Sequence, residues 1–287
     1  MTATNTKRTQ MKNHDLKYVL KLELMQSLRS TWFWSYAVLF GGFVAIMFAL
    51  GITESQVIGF LGLGRLMITF MQVCIVVLPI YILITTVRSI VGDRETHVME
   101  YFLSLPISFS SYLLGKFISR YIEIFTPVFL ALTGAVLYGM FQGIDVPWDL
   151  FALYVVLLAV LTFCFLGIGM MISVKANTQT HAIGSAFILW LLLVALLDII
   201  LMGAMLKLRI SPDLVIGFGM INPLQVFRTG VLVLFDPSLT VMGAASYFIL
   251  DTVGRGVFIA FSIIYPLLLG FLFLWLSVRS FKNNDVV

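Results

Sequence analysis

The densest run of ionisable residues in this chain is Asp93-Arg94-Glu95, with His97 and Glu100 just beyond it. Val98, Met99, Phe102 and Leu103 follow at i, i+1, i+4 and i+5, the spacing of one helical face. Asp93 suits an N-cap, and Pro106 stops a helix two residues past Ser104. The spacing predicts a short amphipathic helix hung between two apolar runs and gripped by something outside the bilayer. Arg120 and Glu123 are three residues apart, which allows an i,i+3 ion pair of structural or gating kind. Asp198 stands alone in Leu191–Leu206, where an ionised carboxylate costs about 2.5–3.5 kcal/mol. It reads either as part of a cavity or coupling network, or as a protonated or interfacial group held by a neighbouring helix.

Met67, Met71 and Cys74 recur at i, i+4 and i+7 and therefore share a helical face. Soft ligands of this kind suit Cu(I), yet Met and Cys are also ordinary packing residues, and a chain with 14 Met produces such spacings by chance. No metal site is assigned. His97 and His181 are not read as ligands, and Cys74 and Cys164 form no CxxC pair. A phosphate-binding loop is also missing: Gly115-Lys116 has Ser110 where the first glycine is needed, and Phe117 follows. HExxH and GxSxG patterns are absent, as is any carboxylate cluster within an apolar run. The chain is therefore read as a non-enzyme that binds no cofactor, with energy supplied by a partner or an ion gradient.

These groups must be positioned by membrane helices. The sequence is 60% hydrophobic and 11% charged, and a soluble domain carries roughly twice that charge. The fold class is an all-α membrane protein. Residues 1–31 form a basic tail and an amphipathic helix on the inner membrane face, with Leu16, Leu20, Leu24 and Leu28 on one side. This start is too long and polar for a signal peptide, so the first span is expected to be retained. Six apolar runs follow, at about 32–51, 66–87, 113–139, 150–172, 182–206 and 258–278, each near the roughly 20 residues of a crossing. With the N-terminus inside, thirteen Lys and Arg lie on the inner side against five outside, which makes both termini cytoplasmic. Basic residues in inner loops explain the positive charge without nucleic acid. A seventh crossing at Leu214–Phe235 would reverse the C-terminal cations, so 207–257 is read as a long outer-face loop with re-entrant or packed short helices.

The order Asp93-Arg94-Glu95, Glu100, Leu103-Ser104-Leu105-Pro106-Ile107-Ser108 and Leu114-Gly115-Lys116 resembles the signature of ABC-2-type transporter permeases. Glu23-Leu24 and Arg29 before Trp32, and the six spans, are similar to that family too. The resemblance covers residues 32–287 as one permease domain. It implies that segment 88–116 is a coupling helix docking on a separate ATPase subunit, which would hold ATP and Mg. Asp93, Arg94, Glu95, Glu100, Phe102, Leu103 and Pro106 would carry that contact. The family often has Gly-Thr-Leu-Glu where this chain has His97-Val98-Met99-Glu100, so the bulkier His97 is expected to alter the fit to the ATPase. A narrower resemblance, in Asn222-Pro223-Leu224-Gln225-Val226-Phe227-Arg228 with Phe235-Asp236 and Met242-Gly243, is to permeases serving nitrous oxide reductase maturation. It implies a bacterial inner-membrane homodimer and a role in assembling copper centres. It further implies a periplasmic accessory protein contacting Asn222, Pro223 and Arg228. A generic exporter of lipid-like or small-molecule cargo, an ion-coupled secondary transporter and a docking scaffold are the alternatives.

Overall fold

The computed structural model describes residues 20–25, 29–49, 63–100, 109–143, 145–197, 199–200, 203, 212–235 and 254–283. All regular elements among them are helical: α1 (Thr31–Ala49), α2 (Leu63–Glu95), α3 (Phe109–Phe141), α4 (Trp148–Lys175), α5 (Gln179–Leu191), α6 (Pro212–Gly219), α7 (Pro223–Phe235) and α8 (Arg255–Asn283). A π-helical turn, Leu192–Leu196, continues α5. Among the described residues, five helices are long and apolar enough to cross a membrane: α2, α3, α4, α5 with its π turn, and α8. The 33 residues of α2 and of α3 reach about 50 Å each, well beyond the hydrocarbon thickness of about 30 Å. Both helices must therefore project past the bilayer. The α1 helix is a shorter apolar element packed on α2 and α3 through a Tyr36–Tyr81 stack and an edge contact of Phe48 with Tyr138.

The core forms around α4, whose buried residues lie on nearly every side, from Tyr154 through Leu161 and Phe165 to Val174. Small residues let neighbours approach it closely. A Cβ on Gly167 would lie 2.6 Å from the Gly270 carbonyl oxygen of α8, and one on Gly169 would lie 3.0 Å from the Thr86 side chain of α2. Helix α5 with its π turn is the opposite case, with Phe187, Ile188, Leu191 and Leu192 exposed. In α2, Pro79 removes the donor that would bond the Ile75 carbonyl, and one residue along the Trp190 indole donates to Val76 O at 3.0 Å.

Of the loop expected at 207–257 with re-entrant or packed short helices, residues 212–235 are described. Two short helices, α6 and α7, are joined by a turn at Met220–Asn222, and α7 is buried along nearly its whole length. At 13 residues, about 20 Å, α7 is too short to cross. The segment 236–253 lies outside the described residues, as do Asp198, Phe102, Leu103 and Pro106.

Candidate functional site

At one end of the bundle, where α2 and α4 finish and α3 and α5 begin, an ionic cluster is sealed inside the protein. Lys116, on the second turn of α3, is 3% exposed. Its ammonium lies 2.8 Å from Asp93 Oδ2 of α2 and 3.1 Å from Glu23 Oε1 of the N-terminal helical segment. It also donates to Ser89 O at 3.0 Å, so all three N–H bonds have acceptors. The Tyr112 hydroxyl donates to the same Asp93 oxygen, and the Tyr112 ring lies under the ammonium at 5.4 Å. One cation thus ties three chain segments together. Two carboxylates face one ammonium, the kind of pairing that a buried charge requires.

A second set of bonds staples the end of α2 to the turn between α4 and α5. Arg94 donates to Ala176 O at 3.1 Å and Val174 O at 3.4 Å, taking up carbonyls that the end of α4 leaves without helical donors. Ser173 Oγ donates to Val87 O at 2.7 Å and receives Ile90 N and Val91 N. Glu95 Oε1 accepts Gln179 N at 2.8 Å, at the first turn of α5, where a carboxylate also complements the helix dipole. Thr178 caps the same helix by accepting His181 N.

Two sequence expectations change here. Asp93 does not cap a new helix; it lies inside the last turns of α2, because that helix runs on to Glu95. The helix breaks instead at Thr96-His97, and helical structure resumes at 98–100. Asp93 and Arg94, expected on an ATPase-facing surface, turn inward because Lys116 and the α4 carbonyls hold them. Within 20–25 the buried residue is Glu23, Leu20 and Leu24 of the leucine stripe are half-buried, and Leu16 and Leu28 lie outside the described residues. What does face outward is Glu95, Thr96, His97, Val98 and Glu100, with Met99 tucked in. His97 has φ +58, the left-handed conformation glycine adopts at no cost, which gives a physical reason for the family's glycine at this point. Its Nδ1 lies 2.9 Å from Glu100 Oε1.

The Arg120–Glu123 pair forms as the spacing predicts, with Nη1 2.6 Å from Oε2. Met67, Met71 and Cys74 are fully buried among apolar side chains. No cluster of three or more His, Cys, Asp and Glu suited to a metal ion occurs among the described residues.

At the other end of the bundle, Asn222 and Pro223 form the start of α7. Asn222 Oδ1 accepts Leu224 N at 3.0 Å, and Pro223 takes the first helical position, where its missing N–H is no loss. The Asn222 amide donates to Leu193 O at 2.6 Å, inside the widened π turn of α5. Both residues were expected at a partner surface, but they are buried because these bonds require it; Arg228 is half-buried. The Asn222→Ala variant loses a cap and strands a carbonyl, so it should destabilise the protein by about 2–3 kcal/mol. Thermal unfolding of the purified protein in detergent measures this, and an unchanged midpoint would refute the capping role.

Lys116, Glu23 and Tyr112 were not singled out as site residues by sequence reasoning. Their signal was present: a lysine at the edge of an apolar run needs an anionic partner.

The architecture defines a multi-pass helical membrane protein, with inter-helical polar ties concentrated beyond the ends of its longest helices. Residues 18–286 match the family model described as ABC-2 family transporter protein, and the chain belongs to that family. It is similar to the "Probable ABC transporter permease protein NosY" of Stutzerimonas stutzeri, with 25% identity across 79% of this chain and 85% of that protein. The protein of the same name from Pseudomonas aeruginosa is 22% identical across 76% of this chain and 82% of its own length. The chain is thus a NosY-like permease subunit, a multi-pass inner-membrane protein and a transport component rather than an enzyme, whose family works with an ATPase subunit.

Proposed function

We propose that this chain is a six-span, homodimeric permease driven by a separate ATP- and Mg-binding subunit that docks at Thr96–Glu100 and the segment after it. The observation that carries this reading is the pattern of burial around that segment. Asp93 and Arg94 are held inside by Lys116 and the end of α4, while His97, Val98 and Glu100 remain outside. A push on the exposed turn reaches α3 through Lys116 and α4 and α5 through Arg94 and Glu95. On this reading α1 is the sixth span, both termini are cytoplasmic, and the apolar outer side of α5 packs on lipid or on the second copy. The α6–α7 hairpin then faces the periplasm, where an accessory protein would meet Arg228. Likeness to the NosY proteins supports a role in assembling the copper sites of nitrous oxide reductase.

The direct test is charge reversal at the exposed Glu100. Glu100→Lys should reduce co-purification of the ATPase subunit at least severalfold, while membrane insertion and monomer stability stay as in the wild type. Glu95→Lys should do the same with some loss of stability, because it also releases Gln179 N. Unchanged co-purification in both variants would sink the docking assignment.

A further inference from the structure

A cavity of about 190 Å³ lies between the N-terminal segment, α2 and α3, lined by Ser30, Ile84, Thr85, Arg88, Arg120 and Glu123. It is well above the roughly 10–15 Å³ that holds one water. Two guanidinium groups and one carboxylate line it, which leaves it a net cation. Glu123 is already engaged by Arg120 Nη1 at 2.6 Å. The Arg120 Nε–H is buried and has no acceptor among the described residues. Arg88 is exposed and makes no hydrogen bond or ion pair among them.

Helix lengths place the cavity. From Leu66 to Arg88 along α2 is 22 residues, about 33 Å, and from Arg120 to Phe141 along α3 is 21 residues, about 32 Å. Each distance equals one hydrocarbon thickness of about 30 Å, so both arginines sit at headgroup depth on the same side. Guanidinium groups bind phosphate oxygens through paired N–H bonds, and basic pockets between membrane helices take anionic headgroups.

We infer that this cavity binds a phosphate group, with the guanidinium groups of Arg88 and Arg120 that line it as its donors. The source is either the headgroup of an anionic phospholipid or soluble phosphate, and two arms separate them. The full-length permease is reconstituted in bilayer discs containing phosphatidylcholine and phosphatidylglycerol, and lipid retained per protomer is counted by native mass spectrometry. In parallel, detergent-solubilised protein is titrated with inorganic phosphate. One phosphatidylglycerol should be retained per protomer in preference to phosphatidylcholine, with affinity about fivefold lower in Arg88→Gln, the factor for one cation near a membrane surface. Saturable phosphate binding with the same Arg88 dependence, without lipid preference, would keep the site and assign it to the soluble anion. Arg88 lies on the exposed side of α2, so this variant should fold normally. The double variant Arg120→Gln with Glu123→Gln removes the second donor without stranding a buried carboxylate, and should abolish retention. Binding that is equal in wild type and Arg88→Gln in both arms, or absent from both, overturns the proposal. The assay uses no ATPase, so its failure is distinct from failure of the docking reading.

Discussion

Lys116→Met is expected to destabilise the permease by about 3–5 kcal/mol, because it leaves the Asp93 and Glu23 carboxylates buried without their cation. Native stability is only about 5–15 kcal/mol in total, so a large share of it should be lost and the melting midpoint should fall clearly. Three segments should loosen together: the N-terminal helical segment, the end of α2 and the start of α3. Fluorescence-detected size exclusion after a temperature ramp reads this directly. Adding Asp93→Asn and Glu23→Gln to Lys116→Met removes the stranded charges and should recover much of the loss, since replacing a whole buried ion group is close to neutral. That recovery is the informative part. A simple packing defect at Lys116 would not be relieved by neutralising its partners, and a wild-type midpoint in Lys116→Met alone would remove the cluster from the account of coupling.

The second large effect lies where α4 crosses α8. Gly167→Ala places a methyl group 2.6 Å from the Gly270 carbonyl oxygen, a backbone atom that cannot swing aside. The two helices must separate, with a cost of about 3 kcal/mol, at the upper end of what overpacking produces. Gly270→Ala meets the Phe163 ring at 2.6 Å but the Cys164 backbone only at 3.0 Å, so rotation of the ring should make it the milder change. Gly184→Ala on α5 is the control. Nothing lies within 4 Å of its added Cβ, and the helix-propensity gain of up to about 1 kcal/mol should appear as a small rise in stability. Melting midpoints of the three variants should therefore rank Gly167→Ala lowest and Gly184→Ala at or above wild type. Equal midpoints would mean that the α4–α8 crossing tolerates more separation than its geometry allows.

These two sites mark the boundary between local and distant information. The sequence by itself determined the membrane class, because 60% apolar residues leave no soluble solution, and it located the long helices, although α2 runs eight residues past the end of its apolar run at 87. It also determined the Arg120–Glu123 pair, since an i,i+3 contact follows from helical periodicity alone. Short helices within 207–257 were expected from Arg228, Asn222 and Pro223 interrupting an otherwise apolar run, and of the two that are described α7 is buried while α6 leaves Leu214 and Phe218 exposed. Tertiary structure alone decided which way Asp93 and Arg94 turn. Their partners, Lys116 and the carbonyls of Val174 and Ala176, are 23 residues and about 80 residues away in sequence, and no periodicity relates them. The same holds for Asn222, whose reach to Leu193 depends on a π turn that the leucine-rich sequence does not announce. The run Asp93 to Glu100 was legible as a functional handle. Its division into an inward half that grips the bundle and an outward half that can be gripped came from the fold, because a buried ammonium must find its carboxylates before any partner does.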